Sequence, residues 1–363
     1  MVRSKTAHAL GAFAAALAMA FALGAPVQAA PPPPPPAIPA PFADHHMHIF
    51  SAEAVRASKL MCAKMGPMAC PLGDTLKPST GADVLQALDA AGVRQGVLLS
   101  TGYFYGSPEL KDVGLDIAKE TRAENAYVVE QAKMSCGRLA AFISINPVSP
   151  FAVDEVRYWS RKGGASGVKL HLGNSDFSFR DPAQVKALAG VFRAAADAHL
   201  AIVIHMQTRA KDYGAQDAAI FLKDVEPYAR GVPLQIAHAA GGGGVDAKVL
   251  AALGVFADAM GKDPALAHHL YFDLAMVPDL FANVGKIRPP TATRAALRDL
   301  IHRIGLAHFL TASDWTEGLD LKAYYADEKE SLGLTDAEWT ILAASRAPYL
   351  PEAPSAGRCS ISH

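Results

Sequence analysis

The chain has 363 residues, 51% of them hydrophobic, and a formal net charge of −1 from 34 basic and 35 acidic side chains. That balance leaves no basic footprint for nucleic acid or for an anionic membrane surface. The hydrophobic share is ample for a large core.

Arg3 and Lys5 give a short positive start, an apolar run rich in Ala, Leu, Phe and Met follows over 9–23, and small residues close it over 24–30. This is the pattern of an export signal over 1–29, cut after Ala29, and it predicts a periplasmic or secreted protein. A retained anchor fits less well, because the run is short for a span and a small-residue site follows at once. No later stretch reads as a membrane helix, so no membrane association is expected after cleavage. Pro31 to Pro36 form an unbroken proline run, with Pro39 and Pro41 beyond it. Such a run favours extended polyproline II, so 30–41 reads as a stiff spacer. Residues 42–363 then form one large domain.

Apolar strand-like runs and amphipathic helix-like runs alternate through that domain. The strand candidates are 42–50, 93–101, 139–146, 167–172, 201–206, 233–238, 270–275 and 309–312. The helix candidates between them are 81–91, 115–133, 154–162, 182–198, 216–228, 246–261 and 293–305, with 319–331 and 336–345 after the last strand. Asp181-Pro182 supplies a cap before a first-turn proline, and Gly92 and Gly305 follow helix ends. The strands are short and apolar on both faces, which suits buried parallel pairing. Eight repeats of this unit favour an α/β fold closed as a (β/α)8 TIM-type barrel in a single domain. An open doubly wound sheet fits less well, because no glycine-rich nucleotide fingerprint follows an early strand; the glycines at 241–244 lack that spacing and read as a tight turn near the site. The cysteines are Cys62, Cys70, Cys136 and Cys359. In an exported chain they allow three disulfide pairings, of which Cys62–Cys70, across a loop-like stretch, closes most easily.

In such a barrel the chemistry sits where the strands end. Strand one ends Asp44-His45-His46-Met47-His48. His46 and His48 are two apart, so they share a face, roughly 6.6 Å apart along it, and can reach one ion. Asp44 is expected on that face as an acceptor for His46, with His45 facing away. Taken alone, the pair reads equally well as two packed histidines. Strand four places Lys169 and His171 on one face, and a lysine in an apolar strand must be paired, modified or metal-bound. Strands five and six end in His205 and His238, and strand eight runs into Ser313-Asp314-Trp315. Core packing does not explain imidazoles and a carboxylate at so many strand ends.

This order of residues resembles the amidohydrolase superfamily, within it the amidohydrolase-related ("amidohydrolase 2") branch, over nearly the whole chain after the prolines. The resemblance rests on the H-x-H of strand one, the single histidines ending strands five and six, and Ser-Asp-Trp after strand eight. It implies that His46, His48, His205 and Asp314 hold a divalent metal, that Asp314 takes a proton from the activated water, and that His238 either completes the ligand set or acts in catalysis, contacting substrate or the activated water and polarising the substrate carbonyl. Lys169 stands where binuclear members carry a carboxylated, bridging lysine, so one or two ions are implied. Zn is the default, with Mn, Fe or Co suited to the same donors. The implied reaction is hydrolysis of an amide, ester or lactone of a small molecule. The alternatives are a decarboxylase or hydratase on the same site, or a non-catalytic metal-binding protein. His171, Arg209 and Tyr103 are substrate-binding candidates, with Phe104, Tyr105, Asn146 and Asp273 behind them. Oligomeric state is not legible.

Overall fold

The computed structural model describes residues 38–65, 76–277 and 289–352. The expected export signal and the proline run lie outside the described residues, as do Cys70 and Cys359. The barrel unit spans Ile38–His363.

Eight parallel strands follow one another in spatial as in chain order. They are β1 (Ala43–Met47), β2 (Gln95–Leu99), β3 (Leu139–Ser144), β4 (Gly167–His171), β5 (Ala201–His205), β6 (Leu234–Ile236), β7 (Leu270–Asp273) and β8 (Phe309–Leu310). The ring closes through a parallel bridge between Met47 and Trp315, with His45 N–H donating to Thr311 O at 3.0 Å and His48 N–H to Trp315 O at 2.8 Å. The result is a single (β/α)8 barrel. Each strand ends one or more residues short of its expected span, because the chain turns toward the rim once it leaves the ladder.

The helices are α1 (Ala52–Met65), α2 (Gly81–Ala91), α3 (Ile117–Lys133), α4 (Ala152–Lys162), α5 (Pro182–Asp197), α6 (Ala215–Asp224), α7 (Ala247–Met260), α8 (Pro264–His269), α9 (Thr291–Ile304), α10 (Leu321–Leu332) and α11 (Asp336–Ala344). Among the described residues none is long and apolar enough to cross a membrane. The expected punctuation is present. Asp181 caps α5 by accepting from Ala183 N–H and Gln184 N–H with Pro182 in the first turn, and Gly92 ends α2 at φ 74. The expected single helix over 216–228 is split: Pro227 cannot continue an α-helical ladder, and Glu226–Tyr228 forms a separate 3-10 turn. The stretch around Cys62, expected as a loop, begins instead as α1. Its buried Ala54, Val55, Ser58 and Met61 fall at helical spacing.

The main core lies between strands and helices, and a smaller one fills the barrel itself. The inner core holds Ala43, Val97, Leu99, Ala140, Phe142, Ala201, Val203 and Ala237, closed from below by Leu350 and Tyr349. Gly167 makes room for it: a Cβ there would lie 2.1 Å from Phe142 Cε1. Large and small side chains thus interlock at the floor of the barrel, and the polar strand ends sit above it.

Candidate metal centre

Relative to β2, β1 carries one extra residue between Asp44 and Met47. Such a bulge re-aims the side chains around it. His45 and His46 both face the barrel interior, at different heights, and Asp44 turns outward. Its carboxylate accepts from Ser313 Oγ–H at 2.5 Å and from Tyr325 OH of α10 at 2.7 Å. Burial pushes the Asp44 carboxyl up to about 7 against these hydrogen bonds. The expected contact from Asp44 to the His46 ring is therefore replaced: from His46 it accepts the backbone N–H, at 3.1 Å, and not the ring.

The ring partner of His46 is Asp273, at the end of β7. His46 Nδ1–H donates to Asp273 Oδ2 at 3.0 Å. The same carboxylate accepts from Gln235 Nε2–H at 2.6 Å, from His238 N–H at 2.8 Å and from Ala275 N–H at 3.2 Å. Asp273, read from sequence as a minor pocket residue, is thus the hub that orients one histidine by its ring and another by its backbone. Burial alone would raise its carboxyl, but the His46 ring and these donors hold it well below the usual carboxylate range.

Tautomers follow from the acceptors. His48 Nδ1–H donates to Leu99 O at 2.7 Å, and His238 Nδ1–H to Ala275 O at 2.7 Å. With its proton on Nδ1, each of His46, His48 and His238 presents the lone pair of Nε2 to the barrel mouth. His171 is the opposite case. Its Nδ1 accepts Asn174 N–H at 3.2 Å, which leaves the proton on Nε2. Its ring stacks on His205 at 3.8 Å between centroids. His205 has no ring hydrogen bond among the described residues. Burial, then the positive charge of Lys169, pushes His46 down to about 3. Burial pushes His171 and His205 well below the ordinary histidine value, helped at His171 first by Lys169 and at His205 first by the neighbouring rings. These rings are neutral at neutral pH, as metal ligation requires.

The donor atoms converge. His46 Nε2 and His48 Nε2 are 3.2 Å apart, and Asp314 Oδ1 lies 3.4 Å from the first and 3.2 Å from the second. A tetrahedral site with ligand distances of about 2.0–2.1 Å has edges of about 3.3–3.4 Å. The three atoms therefore span one face of such a site, and the residues present fit a divalent metal. His46, His238 and Asp314 also form a group whose donor atoms lie within 4.8 Å of one another. Lys169 Nζ lies 3.1 Å from His46 Nε2, and burial pushes it down to about 8 against the pull of Asp273 and Asp314. Burial would raise Asp314 too, but His46 and His48 hold it well below the usual range. Two of these residues sit on left-handed backbone, His238 at φ 53 and Asp314 at φ 56. That conformation is uncommon for such side chains and is held by the surrounding hydrogen bonds.

A cavity of about 330 Å³ opens over the cluster, and its lining includes His46, His48, Lys169, His171, His205, His238, Asp314 and Tyr103. Burial and Asp314 raise the Tyr103 hydroxyl well above its ordinary value, so it stays protonated. Arg209, expected to meet a substrate carboxylate, is not among the lining residues. Its guanidinium is held by Glu109 at 2.5 and 3.0 Å and by Gly173 O at 2.7 Å. Asn146 is likewise occupied, donating to Gly106 O at 2.7 Å, and neither it nor Tyr105 lines the cavity. Gly242 does: a Cβ there would lie 3.1 Å from His205 Nε2 and 2.2 Å from Gln207 Oε1. The glycine run lets backbone approach the site. Cys62 also lines the cavity. Cys62 and Cys136 are both disulfide-bonded, and the expected pairings with Cys70 and Cys359 lie outside the described residues.

No protein-family model matches the chain, and no curated protein matches it. Solved structures do match. A 5-carboxyvanillate decarboxylase from Sphingomonas paucimobilis superposes with a TM-score of 0.55 at 15% identity, over 84% of this chain and 97% of that one. A 5-carboxyvanillate decarboxylase from Novosphingobium aromaticivorans, complexed with manganese and 4-hydroxy-3-methoxy-5-nitrobenzoic acid, gives 0.53 at 12% identity over 84% and 94%. An amidohydrolase from Burkholderia multivorans with bound hepes gives 0.50 at 15% identity over 84% and 96%. The chain shares the barrel fold of these decarboxylases and amidohydrolases.

Proposed function

We propose that this chain is a metal-dependent hydrolase of the amidohydrolase superfamily, acting on an amide, ester or lactone of a small molecule. The observation that carries the reading is the convergence of His46 Nε2, His48 Nε2 and Asp314 Oδ1 at 3.2–3.4 Å from one another. His205 or His238 completes the set. A divalent ion there supplies Lewis acidity and a water acidified toward about pH 7. Zn suits nitrogen and carboxylate donors, and so does the manganese recorded in one structural neighbour.

The side chains divide the remaining work. Asp314, held ionised, accepts the proton of the attacking water and returns it to the leaving group. His238 presents a lone pair, so it serves as a ligand or a proton acceptor and not as the donor that polarises a carbonyl. His171 Nε2–H and the Tyr103 hydroxyl are the donors for that task. Lys169 would report the metal count: two ions per chain would call for a carboxylated lysine as a shared ligand, and one would leave it an amine.

Decarboxylation is the second reading, favoured by the decarboxylases among the structural neighbours. Purified protein should first be analysed for bound metal, then offered lactones, aryl esters and hydroxybenzoates. Hydrolysis products without CO2 support the first reading. CO2 release from a hydroxybenzoate supports the second. A protein that takes up no divalent metal overturns both. Residues 1–29 are proposed to direct export, and mature protein recovered from outside the cytoplasm should then begin at Ala30.

A further inference from the structure

The cavity over the donor cluster has two unlike halves. Its floor holds the histidines, Lys169 and Asp314 already described. The rest of the described lining is mainly apolar, with Phe50, Met61, Met65, Leu76 and Phe104 beside the uncharged Ser58, Thr101, Asn174 and Thr316. Met61 and Met65 are one turn apart on α1 and so lie on one face of it. Phe50 and Phe104 stack at 6.3 Å with an interplanar angle of 21°. Cys62, in the same wall, is disulfide-bonded, which ties that wall covalently. Among the described lining residues Lys169 and Asp314 are the charged ones besides the imidazoles, and both belong to the floor. Arg209, the cation nearest in sequence to β5, is engaged by Glu109 instead.

The volume of about 330 Å³ is roughly twice that of the ~150 Å³ apolar cavity that holds benzene. We infer that the substrate is a neutral, apolar body of one or two rings carrying a single oxyanion-forming group at one end. The ring lies against the methionine and phenylalanine wall, and the oxygen-bearing end meets the floor. A carboxylate at the far end would lose its water without gaining a cation among the described lining residues. This inference rests on the function proposed above and narrows its substrate class.

Titration calorimetry on the zinc- or manganese-loaded protein tests it with three probes: acetate, benzoate and terephthalate. Benzoate is expected to bind about tenfold or more tightly than acetate, and terephthalate about tenfold or more weakly than benzoate. Met61→Ala and Phe104→Ala should each bring benzoate toward the acetate value while acetate stays unchanged. Met61→Lys should reverse the order of benzoate and terephthalate. Met65→Ala stands in for any variant that circular dichroism shows to be unfolded. Equal binding of all three probes by metal-loaded protein overturns this inference alone. Failure to load a metal overturns the proposed function, and the substrate class with it.

Discussion

His45 and His46 are adjacent in sequence, both are buried, and both face into the barrel, yet their ring nitrogens meet different partners. His45 donates Nδ1–H to Thr311 O at 2.9 Å and accepts Ala347 N–H at Nε2 at 3.2 Å. Both its nitrogens are used, and its ring meets Tyr349 edge-on at 6.4 Å. Burial pushes it down to about 4, so it stays neutral. His46 spends one nitrogen on Asp273 and keeps the other for the barrel mouth. Burial is the same for the two rings. What differs is what faces the second nitrogen: a backbone N–H for His45, and the side chains of His48, Lys169 and Asp314 for His46. The two ends of the barrel differ likewise: below, Leu350 and Tyr349 close an apolar core, and above, lone pairs converge on a cavity.

The comparison is broken most directly at His46. His46→Ala should remove the bound metal and lower turnover about 10³-fold or more, with little change in thermal midpoint. Elemental analysis beside a melt checks this, and a variant that keeps its metal places His46 with His45. His45→Ala should do the reverse, costing about 2–3 kcal/mol of stability by stranding Ala347 N–H and leaving a cavity in place of the ring while the metal content stays. Denaturant titration and metal analysis on the same sample read both quantities.

Asp273→Asn sharpens the contrast, because an amide cannot accept all four of the donors that Asp273 serves. Metal affinity should fall about 10- to 100-fold, measured by competition with a coloured chelator, and an unchanged affinity would remove Asp273 from the account of the site. Gly242→Ala puts a Cβ against His205 Nε2 and Gln207 Oε1. A roughly five- to tenfold loss of metal affinity or turnover is expected, as for a modest overpacking; no loss would leave His205 outside the working set.

Arg209→Ala should have the smallest effect, below about 1 kcal/mol, since its pair with Glu109 is partly exposed and screened. Glu109 is lowered from 4.5 to about 2 by Arg209, with a smaller share from Ser107. A depressed carboxyl stabilises the fold above its unfolded value and loses that contribution as pH falls from about 4.5 toward 2. The variant should therefore flatten the acid limb of the stability curve over that window. Weaker benzoate binding in this variant would return Arg209 to the substrate site.

Much of this was legible in the linear chain. The eight strands follow from short apolar runs alternating with amphipathic stretches; His46, His48, His205, His238 and Asp314 each stand near a strand end or just past it, and Lys169 stands within β4. Two things were not legible, and a third was legible only in part. The bulge in β1 turns Asp44 away from the ring it was expected to serve, and a period-two reading cannot see one inserted residue. Asp273 gives no local signal, since its four donors come from β1, β6 and the turns after β6 and β7. Helix α1 did leave a trace, in apolar residues at helical spacing over 54–65, but the methionines and glycines beyond it mask that pattern as a loop.

The sequence by itself determined the barrel, through periodicity, and the residue types at its rim, because hydrophobic alternation and strand-end chemistry are local properties of a chain. Only the tertiary structure decided which histidine rings converge at the barrel mouth and which are bolts, which acid orients them, and that Arg209 is taken. Those outcomes depend on whether each polar atom finds a partner, and the partners come from strands far apart in sequence.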